Sequence, residues 1–484
     1  LVAGHVDAAR VLALQVRAQL SCPSVGDKGS FWHEATCGEV ALILGEISLA
    51  RDHYANARAI APRAWGDLHA ARCNAEAVLQ AQGLPTHALA DCFPRVSVVA
   101  FTGHMVDRDG RESPRFPPGD EHLVARAIDQ ALAGRDALIG VAGAAWGADI
   151  LFREAVPRRG GETCVVLPHG VEAFRGTSVV EVGGPAWGAR FDAALAQCSE
   201  LTLLSDHPGE DLSYQFQGAV MAGLCRLKAQ SLGGEALGLA YWDGAPGGVG
   251  GTAMVIQEWE RSGLGVQLLP WQGMVRPPLS SVAHPRTSTG SPDTRAGGGQ
   301  RVVSMLFADA VGFSKLGERQ VRAFVQAFWG RVAQRLQLVS PHALLSANTW
   351  GDGLFLVFSD TVEAATLALT LAQLAAGTDW AALGLRSETN LRVALHAGPV
   401  YELDDPVTGR PGFAGTHISR AARMEPVTPP GQVYVSEAFA ALLALDDRTG
   451  AFRCEYMGSV PLAKDYGRMR TYRLSQPSLP CFCN

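Results

Sequence analysis

The chain has 484 residues, of which 47% are hydrophobic and 18% charged, and its formal net charge at pH 7 is −6. The length predicts two to four domains with large apolar cores, and the negative charge argues against binding to nucleic acid or to an anionic membrane. No run of 18 or more apolar residues occurs, so we predict no transmembrane helix. Ten scattered cysteines without paired metal-ligand spacing are predicted to be reduced thiols of a cytoplasmic protein.

Residues 1–90 are rich in Ala, Leu and Arg and lack the alternation of a β-strand. Segments 37–46 and 50–57 show the small and aromatic side chains of interlocking helix pairs, which predicts two amphipathic helices. This region resembles a tetratricopeptide-like or TRAF-binding-type helical module, and the resemblance implies a surface for a protein partner. A helical bundle that only caps the next domain is the alternative.

Residues 91–271 alternate short apolar strands with helical patterns. The predicted strands are 96–101, 138–142, 163–167, 200–204 and 236–241. This order predicts parallel βαβ units in a Rossmann-like α/β domain. Small residues after a strand let the amides at a helix N-terminus face an anion. The candidate phosphate contacts are Gly143, Gly147, Gly251 and Thr252.

The arrangement of residues 91–271 resembles the SLOG superfamily of Rossmann-like sensors of nucleotides and nucleotide derivatives. The resemblance implies a small nucleotide effector for this domain, and an inert scaffold is the alternative. The sequence has no full Gly-x-Gly-x-x-Gly fingerprint, which argues against a dehydrogenase. Residues 272–300, rich in Pro, Ser, Thr and Gly, are predicted to be a flexible linker, and residues 476–484 a tail.

Two aspartates further along the chain each stand next to an apolar strand pattern. Asp309 ends the first pattern and is followed by a Gly/Ser turn, and Asp352 lies in a Gly-Asp-Gly tip before the second. Two carboxylates at the ends of adjacent strands, beside small residues, suit a two-metal site, because hard cations bind oxygen ligands and substrate phosphates need room. Two aspartates that each cap a strand-end turn are the alternative.

Residues 301–475 resemble the catalytic domain of class III nucleotidyl cyclases, the adenylate and guanylate cyclase family. Four motifs carry the resemblance, in order: Phe307 to Ser314, Gly351-Asp352, Ser419-Arg-Ala-Ala-Arg423 and Pro430 to Ser436. The resemblance implies a ferredoxin-like α+β domain that converts a nucleoside triphosphate, ATP by default, into a 3′,5′-cyclic nucleotide and pyrophosphate. It also implies two Mg²⁺ or Mn²⁺ ions per active site and a homodimer with shared active sites.

The resemblance implies roles for individual residues. Asp309 and Asp352 match the metal ligands, Arg423 matches the arginine that stabilises the pentavalent transition state, and Ser419 replaces an asparagine that positions the ribose. The candidate substrate contacts are Gly312, Phe313, Ser314, Asn348 and Lys464. Arg423 in a helix-surface salt bridge is one alternative. A solvated Lys464 is another, because a residue is inserted into the family pattern there.

The residues that read the base in typical adenylate cyclases are missing from this chain. The adenine-reading lysine falls on Asn348, its partner falls near Gly412 or Phe413, and the Glu and Cys of guanylate cyclases are also missing. An amide both donates and accepts hydrogen bonds, so the sequence leaves the base open. The alternatives to an adenylate cyclase are a pyrimidine or guanine nucleotide cyclase and a degenerate domain that only binds nucleotide and transmits a signal.

Overall fold

The structure is a computed structural model that describes residues 1, 3–21, 29–135, 137–208, 211–246, 248, 250–270, 299–407 and 409–477. Of the predicted linker at 272–300 it describes only residues 299 and 300, and of the tail at 476–484 only residues 476 and 477; the rest of both lies outside the described residues. Among the helices within these ranges, none combines the length and the apolar character needed to cross a membrane.

Residues 1, 3–21 and 29–92 form a helical region. Its helices are α1 (Val6–Leu20), α2 (Phe31–Ile43), α3 (Ile47–Ile60) and α4 (Trp65–Ala81). Helices α2 and α3 pack closely because the ring of Tyr54 lies against Gly38, where an added Cβ would meet the ring at 3.1 Å. The Tyr54 ring also packs on Phe93, with 5.1 Å between ring centroids, and this contact ties the helical region to the chain that follows.

A six-stranded parallel sheet forms the next part of the chain, here called the central domain. Its strands are β1 (Val96–Gly103), β2 (Ala137–Ala142), β3 (Glu162–Leu167), β4 (Glu200–Leu203), β5 (Glu235–Tyr241) and β6 (Val266–Leu268). Its helices are α5 (Glu121–Ala131), α6 (Ala148–Arg158), α7 (Val171–Arg175), α8 (Glu181–Ala196), α9 (Asp211–Ser231) and α10 (Thr252–Arg261). The spatial order β4-β3-β2-β1-β5-β6 reverses direction between β1 and β5. Open α/β sheets bind ligands in the crevice outside the strand ends at such a reversal.

Residues 300–475 form the C-terminal domain. Its strands are β7 (Gln300–Ala310), β8 (Leu344–Trp350), β9 (Gly353–Phe358), β10 (Leu391–Asp404), β11 (Pro411–Ala414), β12 (Val433–Ser436), β13 (Arg453–Pro461) and β14 (Arg468–Ser475). Its helices are α11 (Glu318–Phe324), α12 (Gly330–Leu336), α13 (Thr361–Gly377), α14 (Thr416–Met424) and α15 (Glu437–Asp446). The strands lie in the order β13-β14-β12-β10-β7-β9-β8, and β11 pairs with β10. Among the strand pairs formed by the described residues of this domain, only that of β10 with β12 is parallel.

The central strand β7 has an apolar core on each face. Leu306 packs in the same core as residues of α13, whereas Met305 and Phe307 pack with Ala421 of α14. Because successive side chains of a strand point to opposite faces, Asp309 lies on the same side as Met305 and Phe307. The sheet therefore presents this aspartate on the α14 side, at the end of an otherwise apolar strand.

Helix α9 packs the central domain against the C-terminal domain. Gly223 of α9 approaches Ala441 of α15 so closely that an added Cβ would lie 2.1 Å from the Ala441 carbonyl oxygen. Beside this contact, the hydroxyl of Thr202 donates a hydrogen bond of 2.7 Å to Glu437, which also accepts one of 2.7 Å from Arg470. Glycine at position 223 is thus needed for the close approach of the two helices.

Candidate active site

Asp309 and Asp352 meet at one end of the C-terminal sheet. Strand β7 pairs with β9 so that Asp309 lies opposite Gly353, the residue after Asp352. The backbone N–H of Ala310 donates a hydrogen bond of 3.2 Å to the carbonyl of Asp352, which holds the β8–β9 tip against the end of β7. Burial, and after it the charge of Asp352, raises the pKa of Asp309 to about 6. The two carboxyl groups are therefore close enough to repel each other when ionised.

Glycines with positive φ shape the turns that present the two aspartates. Gly351 has φ of +62°, and its carbonyl accepts a hydrogen bond of 3.1 Å from the indole of Trp329. Gly312, three residues after Asp309, has φ of +83° and turns the chain into Phe313 and Ser314. Other residues adopt this left-handed conformation only at a cost, so both glycines are needed for the local backbone.

Two further charged residues, neither of them predicted from the sequence, lie beside the aspartates. Arg392 of β10 lies opposite Asp309 in the sheet, and Glu425 follows α14. Nη1 of Arg392 is 4.0 Å from Oδ2 of Asp309 and 3.9 Å from Oε1 of Glu425. Burial, and then the charge of Asp309, raises the pKa of Glu425 to about 7. A signal for each existed: Arg392 interrupts an apolar strand, and Glu425 follows the third motif by two residues.

This acidic cluster, Asp309, Asp352 and Glu425, fits a divalent cation. Oε1 of Glu425 is buried without a hydrogen-bond partner in the described chain, and burial, together with the neighbouring carboxylates, raises the pKa of Asp309 and of Glu425. No three His, Cys, Asp or Glu side chains of the described residues are arranged around one ion. Asp309 and Asp352 would hold Mg²⁺ or Mn²⁺, with water and substrate phosphates as the other ligands, which is the usual pattern for Mg²⁺.

We predict that metal binding stabilises the protein more at about pH 8 than at about pH 5.5. Carboxyl groups whose pKa is raised by folding bind more protons in the folded state, so their contribution to stability falls as pH rises from about 4 to about 7. A divalent cation binds to the carboxylates in place of those protons. It therefore stabilises the folded protein most at a pH at which the protons have been lost. The measurement is the metal-induced shift of the thermal midpoint at both pH values, with Asp352→Asn as control. An equal shift at both pH values, or an unchanged shift in the variant, would refute the assignment.

The predicted base-reading residue, Asn348, lies on the same face of the sheet as Asp309 but apart from the acidic cluster. Asn348 is exposed on β8, where its amide donates a hydrogen bond of 3.1 Å to Ser346. Trp350, two residues on, is 54% exposed, and its ring lies 6.3 Å from that of Phe307. An exposed amide beside an exposed aromatic ring can form hydrogen bonds to a base and stack on it.

The remaining predicted site residues lie on or against α14. Ser419 is exposed and Arg423 is half-buried. Lys464 is exposed in the turn 463–465, which lies against α14, and its φ of +59° is unusual for a residue with a side chain. Within the described residues, no hydrogen bond or ion pair joins these three side chains to the acidic cluster.

The two arginines of α14 have different surroundings. Arg420 donates a hydrogen bond of 2.7 Å to the carbonyl of Leu204 and forms an ion pair of 2.7 Å with Asp206, both in the central domain. In the part of the chain that the structure describes, Arg423 has no ion-pair partner. Arg420 thus makes a salt bridge of the kind that was the alternative role for Arg423.

A cavity of about 630 Å³ lies at the reversal of strand order between β1 and β5 of the central domain. Asp149 is part of the cavity wall, and its carboxylate accepts a hydrogen bond of 3.3 Å from the backbone N–H of Ala145. Burial raises the pKa of this carboxyl group to about 7. The volume is within the range of small-ligand sites, which is about 300–1,000 Å³.

The four candidate phosphate contacts divide into two groups. Gly251 and Thr252 line the cavity at the N-terminus of α10. Gly143 and Gly147 lie behind its wall: a Cβ at Gly143 would be 2.8 Å from Asp149, and one at Gly147, where φ is +113°, would be 2.7 Å from a backbone nitrogen. The structure therefore explains these two glycines by close packing and favours Gly251 and Thr252 as ligand contacts.

Residues 299–476 match the family model described as the adenylate and guanylate cyclase catalytic domain. The chain is similar to the solved adenylyl cyclase CyaB from P. aeruginosa, with 13% identity over 38% of this chain and 98% of that one and a TM-score of 0.34. It is similar to the guanylate cyclase domain of RhGC from Catenaria anguillulae, with 19% identity, coverage of 37% and 98%, and a TM-score of 0.31. No curated protein matches the chain. The residues in the family match include the acidic cluster and both arginines of α14.

Proposed function

We propose that this protein, whose residues 299–476 are a class III adenylate and guanylate cyclase catalytic domain, converts a nucleoside triphosphate into a 3′,5′-cyclic nucleotide and pyrophosphate. The observation that carries the proposal is the meeting of Asp309 and Asp352 at the end of β7. In the reaction the ribose 3′-oxygen bonds to the α-phosphorus, the bond from that phosphorus to the pyrophosphate oxygen breaks, and the hydroxyl proton is released.

Each charged residue of the site has a part in this proposal. Bound Mg²⁺ or Mn²⁺ would favour deprotonation of the 3′-hydroxyl and offset charge on the triphosphate. Asp309 and Asp352 would hold the two ions. Arg392, whose side chain is 31% exposed, balances the carboxylates and can also meet a phosphate oxygen. Arg423 offers a planar, permanently charged fork to the oxygens of the transition state.

The smaller candidates position the nucleotide. Gly312, Phe313 and Ser314 form the turn that directly follows the first metal ligand, and their backbone N–H groups are suited to phosphate oxygens. Ser419 supplies a hydroxyl for the ribose, and Lys464 supplies a positive charge for the triphosphate. Exposure of Ser419 and Lys464 supports these assignments, because a substrate can reach both.

We propose ATP as the default substrate, with a pyrimidine or guanine nucleotide as the alternative. Asn348 is exposed and can either donate to or accept from a base, so it does not select one. A domain that only binds nucleotide and signals is the second candidate function, favoured by Ser419 and Asn348, which depart from the family pattern. The experiment that decides among these functions supplies the four nucleoside triphosphates together in one reaction and identifies the products by mass spectrometry. The most abundant cyclic product identifies the preferred base. The absence of any cyclic product would support the signalling domain.

The active unit is proposed to be a homodimer with shared active sites. Within the described chain, no hydrogen bond or ion pair joins Asn348, Ser419, Arg423 or Lys464 to the acidic cluster, which is the arrangement expected if a second copy completes each site. Apolar side chains are exposed on β8 and on the β10–β11 hairpin, where a second copy could cover them: Trp350 54%, Tyr401 38%, Leu403 38% and Val407 92%. One catalytic domain per chain makes such a dimer symmetric, with two equivalent sites.

The central domain is proposed to sense a small nucleotide or nucleotide derivative in its cavity. The cavity lies where open α/β sheets bind ligands, and Gly251 and Thr252 place a helix N-terminus on its wall.

We also propose that the helical region binds a protein partner, supported by exposed apolar residues on α1: Val11 57%, Leu12 60% and Leu14 54%. Free cysteines among the described residues agree with a cytoplasmic protein.

We predict that a nucleotide bound in this cavity raises the thermal midpoint of the full chain, because a ligand of the folded state stabilises it. The shift should persist in Asp352→Ala, in which the catalytic site is damaged, and disappear in Gly251→Val, in which a side chain enters the cavity. A shift lost in Asp352→Ala instead would place the ligand at the catalytic site. A screen of common nucleotides at roughly millimolar concentration without any shift would favour the inert scaffold.

A further inference from the structure

Helix α14 carries the candidate transition-state arginine, and it is held by the central domain at two points. The first is Arg420, which binds the carbonyl of Leu204 and the carboxylate of Asp206, just beyond the end of β4. The second is His417, whose ring lies edge-on to Phe216 of α9, with 5.9 Å between ring centroids. The position of α14 therefore depends on the central domain as well as on the catalytic sheet.

The His417 contact leaves little freedom at the start of α14. The His417 ring is buried and stacks on the ring of His396, with 5.2 Å between ring centroids. One nitrogen of each ring takes part in a hydrogen bond of 2.9 Å between them. A Cβ at Gly398 would lie 2.2 Å from the His417 ring, so this ring packs tightly on β10. The first turn of the helix is thus fixed by packing, and Arg420 holds the next turn.

The bond to the Leu204 carbonyl is the stronger part of the Arg420 contact. The Arg420 side chain is 12% exposed and Leu204 is 4% exposed, so the charged donor and the carbonyl meet largely out of water. Asp206 is 61% exposed, and an ion pair with so exposed a carboxylate contributes little. Loss of the arginine would leave a buried carbonyl without this partner, which is costlier than loss of the exposed carboxylate.

Arg420 and Arg423 are three residues apart on one helix, which separates them by about 4.5 Å along its axis. A shift or rotation of this turn moves both side chains together. A misplacement of about 1 Å at a reacting centre can lower a rate by roughly a hundredfold. Given the proposed cyclase function, on which this inference rests, we propose that Arg420 is a positioning residue: its bond to the central domain fixes α14, and through it Arg423, for catalysis.

The contact adjoins the cavity of the central domain. Helix α9 contributes Tyr214 and Gln217 to the cavity wall, and the same helix places Phe216 against His417 of α14. A change in α9 on ligand binding would therefore reach α14 through the contact of Phe216 with His417.

The test compares arginines that join the same two domains. Arg226 of α9 donates a hydrogen bond of 3.2 Å to the carbonyl of Leu445 on α15, away from α14, so Arg226→Ala is a matched control. We expect Arg420→Ala to lower kcat by about tenfold to a hundredfold with KM little changed. Arg420→Lys should recover part of this loss, and Asp206→Asn and Arg226→Ala should keep kcat near that of the wild type. Thermal midpoints establish that each variant is folded.

A double variant separates positioning from a general loss of structure. If Arg420 acts through Arg423, Arg420→Ala should lower kcat much less in an Arg423→Lys background than in the wild type. Equal losses in both backgrounds, equal losses in Arg420→Ala and Arg226→Ala, or a wild-type kcat in folded Arg420→Ala would each overturn the inference. If Arg420→Ala does not fold, a wild-type kcat in Arg420→Met, which keeps the length of the side chain but cannot donate a hydrogen bond to the Leu204 carbonyl, overturns it. Wild-type protein without cyclase activity would instead refute the proposed function.

Discussion

Replacement of Asp309 or Asp352 by alanine is expected to lower cyclase activity by a factor on the order of a thousand or more, without unfolding the protein. Each substitution removes a charged ligand from the metal ions, whereas neither aspartate fills the apolar core. Burial and mutual repulsion raise the pKa of Asp309 to about 6, so loss of either carboxylate relieves repulsion in the metal-free protein. The measurements are kcat with Mg²⁺ and with Mn²⁺, and the thermal midpoint.

Asp360→Ala is the control for a carboxylate outside the site. Asp360 caps α13 by accepting a hydrogen bond of 2.8 Å from the backbone N–H of Glu363. Its loss should cost about 1 kcal/mol of stability but leave kcat near that of the wild type. The aspartates of the acidic cluster should show the reverse pattern. An active Asp309→Ala protein with normal metal dependence would eliminate the two-metal assignment.

A mixture of Asp309→Ala and Arg423→Ala proteins is expected to regain about a quarter of the wild-type activity, although each protein alone is inactive. In a dimer with shared sites, one copy supplies the metal carboxylates of a site and the other supplies its Arg423. Random exchange makes about half of the dimers mixed, and each mixed dimer has one site with both defects and one with neither. Because half of the dimers are mixed and each mixed dimer has one of its two sites intact, a quarter of all sites are intact.

Subunit exchange must be measured in the same samples, by capture of one variant through a tag on the other. The matched control is a mixture of Asp309→Ala with Asp352→Ala, in which both defects lie in the same half of the site, so no mixed dimer has an intact site. Exchange confirmed by capture, with activity still at zero in the first mixture, would show that the sites are not shared.

The approach of Asp309 to Asp352 could be predicted from the sequence because the relevant information is local. Each aspartate stands at the end of an apolar strand beside a turn glycine, and the family match to residues 299–476 confirms the cyclase domain that these motifs predicted. Arg392 and Glu425 were missed because their approach to Asp309 depends on the register of β10 with β7 and on where α14 ends. Long-range pairing of this kind is set by tertiary packing and not by spacing in the sequence.

Other features could be distinguished only in three dimensions. The sequence offers Arg420 and Arg423 equally for a surface salt bridge, and only the packing of the central domain shows that Arg420 makes it. The glycines of the central domain were equally ambiguous, because a glycine that admits a ligand and one that admits a neighbouring backbone have the same sequence signature. Gly147 lies against a neighbouring backbone, and Gly143 lies against the side chains of Asp149 and Gln217.

The central claim is that this chain cyclises a nucleoside triphosphate, and product analysis of the purified full chain tests it most directly. With ATP, GTP, CTP and UTP supplied separately in the presence of Mg²⁺ or Mn²⁺, at least one should yield a 3′,5′-cyclic nucleotide and pyrophosphate in equal amounts, and Asp309→Ala should yield neither. Nucleotide that binds to the wild-type protein but is recovered unchanged in all four cases would contradict the claim and identify a domain that only binds nucleotide.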